Sequence, residues 1–390
     1  MNQIPKLLEL ARNIEQFVKT HLPGCRAKYA GILGAVLLAL PWSARALIIN
    51  VTYDPNSVTI QPNAAQIETA YNLVVQNLET LYTNPMTFNI TVYWGNSDFG
   101  NSSTELEGGP SYSEWTSALQ AAETTPEDSN AVASLPASDP IGSANWLIPR
   151  AEFKSLTQLA NLYGIDPNDN VNDGSVYFAS NGVTWTFNPT NRAVPGEYDF
   201  MAVAEHETTE AMGRIYCLDV SISGYYVPYD LFRFTNGVRT LYAFDSGVYL
   251  SINDGVTALK PFNAVTPSTY MSEDAQDWMP TNLVDSYDWE LGPDVEGVLS
   301  SPDLTSLDIL GYDLNFTAPK LKGTRLTNGN FDLTFTNVTG LGFTVWASTN
   351  LLSPANKWIN VGRPTETSVG HYQLIDTSAN KDRFYRVLLQ

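Results

Sequence analysis

Histidine, cysteine and positive charge are all scarce in this chain, and each scarcity closes off a class of function. Among 390 residues there are three histidines, His21, His206 and His371. The two cysteines, Cys25 and Cys217, fall on opposite sides of a processing boundary described below, so no intramolecular disulfide is available. Cys217 reads as a small buried apolar residue rather than as a ligand or nucleophile. Lysine and arginine together number 21, against 41 aspartates and glutamates. That imbalance argues against nucleic acid and anionic membrane as partners, because both are bound through positive charge. Long apolar runs are missing as well, with one exception near the start.

The exception is AGILGAVLLALP, Ala30 to Pro41. Lys6, Arg12, Lys19, Arg26 and Lys28 precede it, and Ser43-Ala44-Arg45-Ala46 follows with small residues at the positions a signal peptidase reads. A membrane span needs about 20 apolar residues, so this run is short for an anchor. Residues 1–46 are therefore read as a secretory signal peptide cleaved after Ala46, which makes the protein secreted, with no membrane attachment once the signal is gone. Without the six bases and two acids of that segment, 15 bases and 39 acids remain, a net charge of −24. Such a surface suits solubility outside the cell and attracts divalent cations weakly.

The remaining chain has the composition of a folded protein, and its patterning predicts an α+β domain followed by an all-β tail. An opening strand is expected over residues 47–60. Ile67, Tyr71, Val74, Leu78 and Leu81 then recur at helical spacing after Pro62. Phe88, Ile90, Val92 and Trp94 alternate as in a half-buried strand. Further helices are expected near Tyr112–Ala122, Arg150–Tyr163 and Ser301–Gly311. Asn181-Gly182 between two β-rich runs predicts a hairpin. The oxygen-rich stretch from Ile165 to Gly174 lacks the closing Glu of a standard calcium loop and is read as an Asn/Asp turn, with Ca2+ binding the competing reading. Residues 315–322 look like a linker. Beyond them only strands are predicted, at Phe331–Thr336, Phe343–Ser348, Trp358–Val361, Tyr372–Asp376 and Phe384–Leu388, a small β-sandwich.

One stretch carries chemistry: Ala204 to Arg214, AEHETTEAMGR. With Asp199 as cap, a helix here stacks His206 and Glu210 on one face, four residues apart, where both can grip one metal ion. Glu207 is rotated by about 100° around the axis, a position from which a carboxylate can act as general base on the attacking water. A carboxylate at the fifth position is a legitimate zinc ligand. Since His371 lies in the tail, a three-histidine site is impossible. Any further ligand is a carboxylate, a tyrosine or Cys217, and so oxygen-rich a site is also compatible with manganese or calcium.

These residues bring a resemblance with them. Residues 47–316 resemble a group of secreted bacterial zincin-type metalloproteases whose helix reads His-Glu-x-x-Glu-x-Met-Gly-Arg, matched from His206 to Arg214. The group's Asp-Leu-Phe-Arg-aromatic segment is matched by Asp230 to Phe234, its Asp-Trp pair by Asp277-Trp278, and its closing helix by Asp303-Leu304, Leu307-Asp308 and Gly311-Tyr312. The tail, residues 317–390, is similar to C-terminal β-modules of secreted bacterial proteins, ending in Arg383-Phe384-Tyr385-Arg386-Val387. The resemblance implies a zincin-like domain with a mixed sheet and an active-site helix. It implies one divalent metal, Zn2+ in the first instance, held by His206 and Glu210, with Glu207 as general base and a protein or peptide as substrate. Asp230 is taken as the third ligand, the competing reading being a cap or a salt bridge to Arg233. The alternative function is a catalytically inactive zincin scaffold that binds a surface or matrix polymer.

The signal-peptide reading is checked by mass spectrometry of the exported protein. Its first residue should be Leu47, and a product that retains residues 1–46 would restore the anchor.

Overall fold

Alternation of apolar side chains gives the central strands one buried face, and that face is where the helix carrying His206 to Arg214 lies. The computed structural model describes residues 46–390 except 96–98, 143–144, 219–223, 271–273, 282–283 and 379–382; the expected signal peptide, apart from Ala46, lies outside the described residues. From Ala46 onward the chain is one compact unit. It is an α+β structure with seven helices among the described residues, none long and apolar enough to cross a membrane.

Strands β1 (Ile48–Tyr53), β2 (Thr87–Gly95), β3 (Gly100–Thr104) and β4 (Gly174–Ala179) form a sheet in the order β1-β2-β4-β3. The first three strands of that order are parallel, and β3 runs antiparallel to β4 at the edge. Phe88, Ile90, Val92 and Trp94 point to the buried face with Val176 and Phe178. Against it pack α1 (Ala64–Leu81) and, beyond the smaller helices α2 (Tyr112–Ala121), α3 (Pro126–Ser134), α4 (Arg150–Ser155) and α5 (Thr157–Tyr163), the motif helix α6 (Phe200–Met212). Tyr71 of α1 and Thr208 of α6 join hydroxyls at 2.9 Å. The last helix, α7 (Ser301–Asp308), places Leu304 and Leu307 in the same core.

The expected hairpin at Asn181-Gly182 has its turn but not its pairing. Gly182 takes φ 77°, as a tight turn requires. The strand after it, β5 (Trp185–Thr186), pairs in parallel with β6 (Tyr198–Asp199) rather than with β4. Trp185 explains the departure. Its indole donates to Ala179 O at 2.8 Å and its ring lies among Phe178, Phe99 and Phe200, so the strand crosses over the sheet's end instead of folding back beside β4. The helix expected over Arg150–Tyr163 is broken at Leu156 into α4 and α5.

The oxygen-rich loop 165–174 turns Asp169 and Asp173 toward cations of the protein itself. Lys154 Nζ lies 2.9 Å from Asp173 and 3.2 Å from Asp169, and Arg150 reaches both. Asp173 also accepts from Asn89 N. The turn reading fits this arrangement, since Ca2+ would need about six to eight oxygens directed at one point.

The tail forms two antiparallel sheets, one from Lys322–Arg325, Phe331–Thr336, Thr365–Ser368 and His371–Asp376, the other from Phe343–Ser348, Ile359–Gly362 and Phe384–Leu389. Its strands match the expected spacing, and Lys322–Arg325 and Thr365–Ser368 are additional. Phe335, Leu341, Phe343 and Tyr372 belong to the same apolar core as Leu299 and Leu304. Leu299 N donates to Gly340 O at 2.9 Å and Gly342 N to Leu299 O at 2.8 Å.

Because that core is shared, a chain ended at Ala318 should lose cooperative unfolding or melt at least about 10 °C lower, as several large apolar side chains become exposed at once. Thermal unfolding followed by circular dichroism checks this; an unchanged melting temperature would show the tail to be a separable module.

Candidate metal centre

Helix α6 starts where its cap dictates. Asp199 Oδ1 accepts from Met201 N at 3.1 Å and Ala202 N at 3.4 Å, and Arg192 Nε donates to the same oxygen at 3.0 Å. The helix ends at Gly213, whose φ of 132° turns the chain sharply. The turn sends Arg214 back alongside the last two turns of the helix. Its guanidinium is fully buried, with Nη2 at 3.4 Å from Glu210 Oε1 and Nη1 at 2.9 Å from Asp277 Oδ1. It also lies 4.1 Å over the Tyr287 ring.

Three ligand-type side chains converge beside it. His206 Nε2 is 3.3 Å from Glu210 Oε1 and 3.2 Å from Asp277 Oδ1, and the three donor atoms lie within 4.8 Å of one another. Among the described residues this is the one group of His, Cys, Asp and Glu so gathered. The two separations from His206 Nε2 are close to the edge of a tetrahedron around a cation with ligand distances of about 2.0–2.1 Å, which is about 3.3 Å. They are longer than an ordinary charge-assisted hydrogen bond of about 2.7–2.9 Å. On the far side of the ring, His206 Nδ1 lies 2.9 Å from Ser286 O. A carbonyl only accepts, so Nδ1 carries hydrogen and Nε2 is the nitrogen presented to the cluster, as in metal-ligating histidines.

The electrostatics are those of a site rich in acid. Glu210, Asp274 and Asp277 act on Glu207, Glu210 and Asp277 act on Asp274, and the charges of Arg214 and His206 oppose them. Burial alone would raise Glu210, but the charges of His206 and Arg214 and a 2.6 Å bond from Gln276 bring it down to about 2. Burial would lower His206; the carboxylates of Asp277 and Glu210 outweigh both that and Arg214, and hold it well above its usual value. Glu207 moves the other way. Burial and the negative charges of Glu210, Asp277 and Asp274 push it far up against the pull of His206. A divalent cation among these groups would supply the missing positive charge and return Glu207 toward its ionised form.

Glu207 stands off the His206–Glu210 face, as the helix geometry requires. With Glu210, Tyr216, Tyr270, Asp274 and residues of β3 it lines a cavity of about 470 Å³. Gly100, the first residue of β3, leaves the space Glu207 occupies: a Cβ there would run into Glu207 Oε1 and into Val203. Two β3 side chains hold the other end of the helix. Ser102 Oγ donates to Glu210 Oε2 at 2.8 Å and Thr104 Oγ1 to Glu210 O at 3.0 Å.

Asp230, expected as the third ligand, lies elsewhere. It is wholly buried and its carboxylate accepts from the backbone N–H groups of Cys217, Leu218 and Val227 at 3.0–3.3 Å. Burial raises it to about 6 against those bonds and the charge of Arg233. This is the capping role, closing the loop between Cys217 and Val227. Tyr216 donates to Tyr270 O at 3.3 Å, and Cys217 is buried and is not one of the gathered group. The third member of the group is Asp277, visible in the sequence as half of the Asp277-Trp278 pair but not assigned a ligand role there. Trp278 anchors it: the indole is fully buried and donates to Asp303 Oδ1 at 2.6 Å. Arg233 donates to Ala275 O just upstream.

Asp230→Ala should leave metal content unchanged and cost about 2 kcal/mol or more, because three buried backbone donors lose their acceptor. Denaturant unfolding alongside metal analysis checks this; loss of metal at unaltered stability would return Asp230 to the ligand set.

Compared with known proteins, the chain matches no family model, no curated protein and no solved structure.

Proposed function

We propose that this protein is a secreted metal-dependent endopeptidase of the zincin type, with His206, Glu210 and Asp277 as the protein ligands of one divalent cation, Zn2+ fitting the donor set best. The observation that carries the reading is the convergence of those three donors on one side of α6 while Glu207, one residue along, lines the adjoining cavity. When bound, the cation would supply Lewis-acid polarisation of a substrate carbonyl and raise the acidity of the attacking water.

The chain's own residues have the remaining parts. Glu207 takes a proton from water and passes it to the departing amine, the general-base and general-acid roles of one carboxylate. Ser286 O keeps the His206 ring turned with Nε2 inward. Ser102 and Gln276 hold the Glu210 carboxylate from both sides. The antiparallel edge strand β3 borders the same cavity, so an extended peptide could pair with it and lie across Glu207.

A second reading has its own observation. Arg214 and Gln276 already bond the two carboxylates, so a protonated His206 would complete an ion network with no metal in it. That describes the inactive scaffold, binding a polymer elsewhere on its surface.

Metal analysis of the exported protein, followed by three variants, separates the two. One equivalent of metal is expected in the parent. Glu210→Ala and Asp277→Ala should each remove metal and peptide hydrolysis together. Glu207→Gln should keep the metal and lose at least about 100-fold in hydrolysis of a casein-type substrate. Metal-free parent protein, or Glu207→Gln hydrolysing at the parent rate, sinks the peptidase.

A further inference from the structure

His206 is held from behind by groups that no ligand or general-base role accounts for. Ser286, whose carbonyl receives Nδ1, donates its own hydroxyl to Glu205 Oε2 at 3.0 Å. Glu205 precedes His206 on α6 and is fully buried. One residue thus contacts the histidine with its backbone and the buried carboxyl with its side chain.

The compartment around Glu205 is closed by the tail. Arg192 stands on one side, clamped to Asp199 by Nε at 3.0 Å and Nη2 at 2.8 Å, with Nη2 3.9 Å from Glu205. Gly340 stands on the other. A Cβ at Gly340 would lie 2.9 Å from Arg192 Nη1 and 3.2 Å from Glu205 Oε1. Its φ of 78° is one that side chains other than glycine rarely adopt. The neighbouring backbone is fixed from several directions: Gly340 N donates to Glu366 Oε2 at 3.1 Å, Asn77 Nδ2 to Thr339 O at 3.3 Å, and Leu299 N to Gly340 O at 2.9 Å. Arg192 cannot step aside without releasing Asp199, the cap of α6.

We propose that Glu205 and Ser286 are positioning residues for His206, and that residues 339–341, in the turn between the tail strands Phe331–Thr336 and Phe343–Ser348, complete the compartment that holds them. The tail is then a supporting part of the metal centre, acting through Gly340, Glu205 and Ser286 in sequence. The inference deepens the proposed function and rests on His206 being a metal ligand. What travels along the chain of contacts is orientation: fixing Ser286 fixes the direction of its carbonyl, which fixes the imidazole ring.

The test uses the full chain in four forms: parent, Ser286→Ala, Gly340→Ala and Glu205→Gln. The first readout is Co2+ affinity with its visible spectrum, which reports ligand geometry. The second, made without metal, is solvent exchange of the His206 Nδ1–H proton by NMR, with His371 as internal reference. Ser286→Ala and Gly340→Ala should weaken Co2+ binding about 10- to 100-fold and speed Nδ1–H exchange at least about tenfold. Glu205→Gln should stay near the parent in both, because its amide oxygen still accepts from Ser286. A merely structural role would lower the melting temperature of the variants and leave both site readouts unmoved, which overturns the proposal. If the parent binds no Co2+, the metal reading falls by itself, while Nδ1–H exchange still decides whether these residues position the ring.

Discussion

The buried guanidinium of Arg214 is the constraint around which the centre is arranged. Placing a charge that deep costs several kcal/mol unless partners meet it. Here Glu210 comes from the helix, Asp277 from a loop more than sixty residues downstream, and the Tyr287 ring covers the remaining face. The demand fixes the loop against the helix: Asp277 cannot leave without costing Arg214 its shortest bond, 2.9 Å from Nη1 to Oδ1. It also gives a physical meaning to Met212-Gly213-Arg214. Glycine supplies the backbone turn, and arginine uses that turn to lie back along the helix it has just left.

The same device recurs in the other buried clusters. Arg192 meets Asp199 and Glu205 on the back of α6. Lys154 meets Asp169 and Asp173 under the central sheet's end. Lys260 meets Asp285, whose neighbour Ser286 supports His206. Each cation ties segments that are far apart in sequence, so the clusters act as registers between elements. A buried ion network of this kind specifies one arrangement more sharply than apolar packing does.

What could be read from the sequence followed the range of the physics. Periodicity acts locally, so the face of α1 from Ile67 to Leu81 and the alternation along β2 were legible. So was the pairing of His206 with Glu210, which is fixed by helix pitch. Strand partnership is not local. Gly182 announced a turn, but the destination of Trp185 was set by Phe99, Phe178 and Phe200. Asp230 and Asp277 show the same divide: both sit in recognisable segments, yet only the folded loops reveal that one faces three backbone donors and the other faces His206. Residues 315–322 read as a linker because composition cannot show that the strands beyond them share apolar core with Leu299.

The internal clusters leave a mark on the outside. Between residues 47 and 316 the chain has Arg150, Lys154, Arg192, Arg214, Arg233, Arg239 and Lys260 as its only bases, and every one is buried or half-buried. The exterior of this part of the molecule therefore presents carboxylates without a single exposed counter-charge. Fresh water is a hostile medium for such a shell, because unscreened acids repel across a Debye length of about 30 Å at 0.01 M salt, against about 8 Å at 0.15 M. Brine relieves the repulsion while leaving the inner pairs, sheltered from solvent, almost untouched. The arrangement that gives the centre its internal order thus also leaves the outer charges of residues 47–316 more sensitive to salt than the buried pairs.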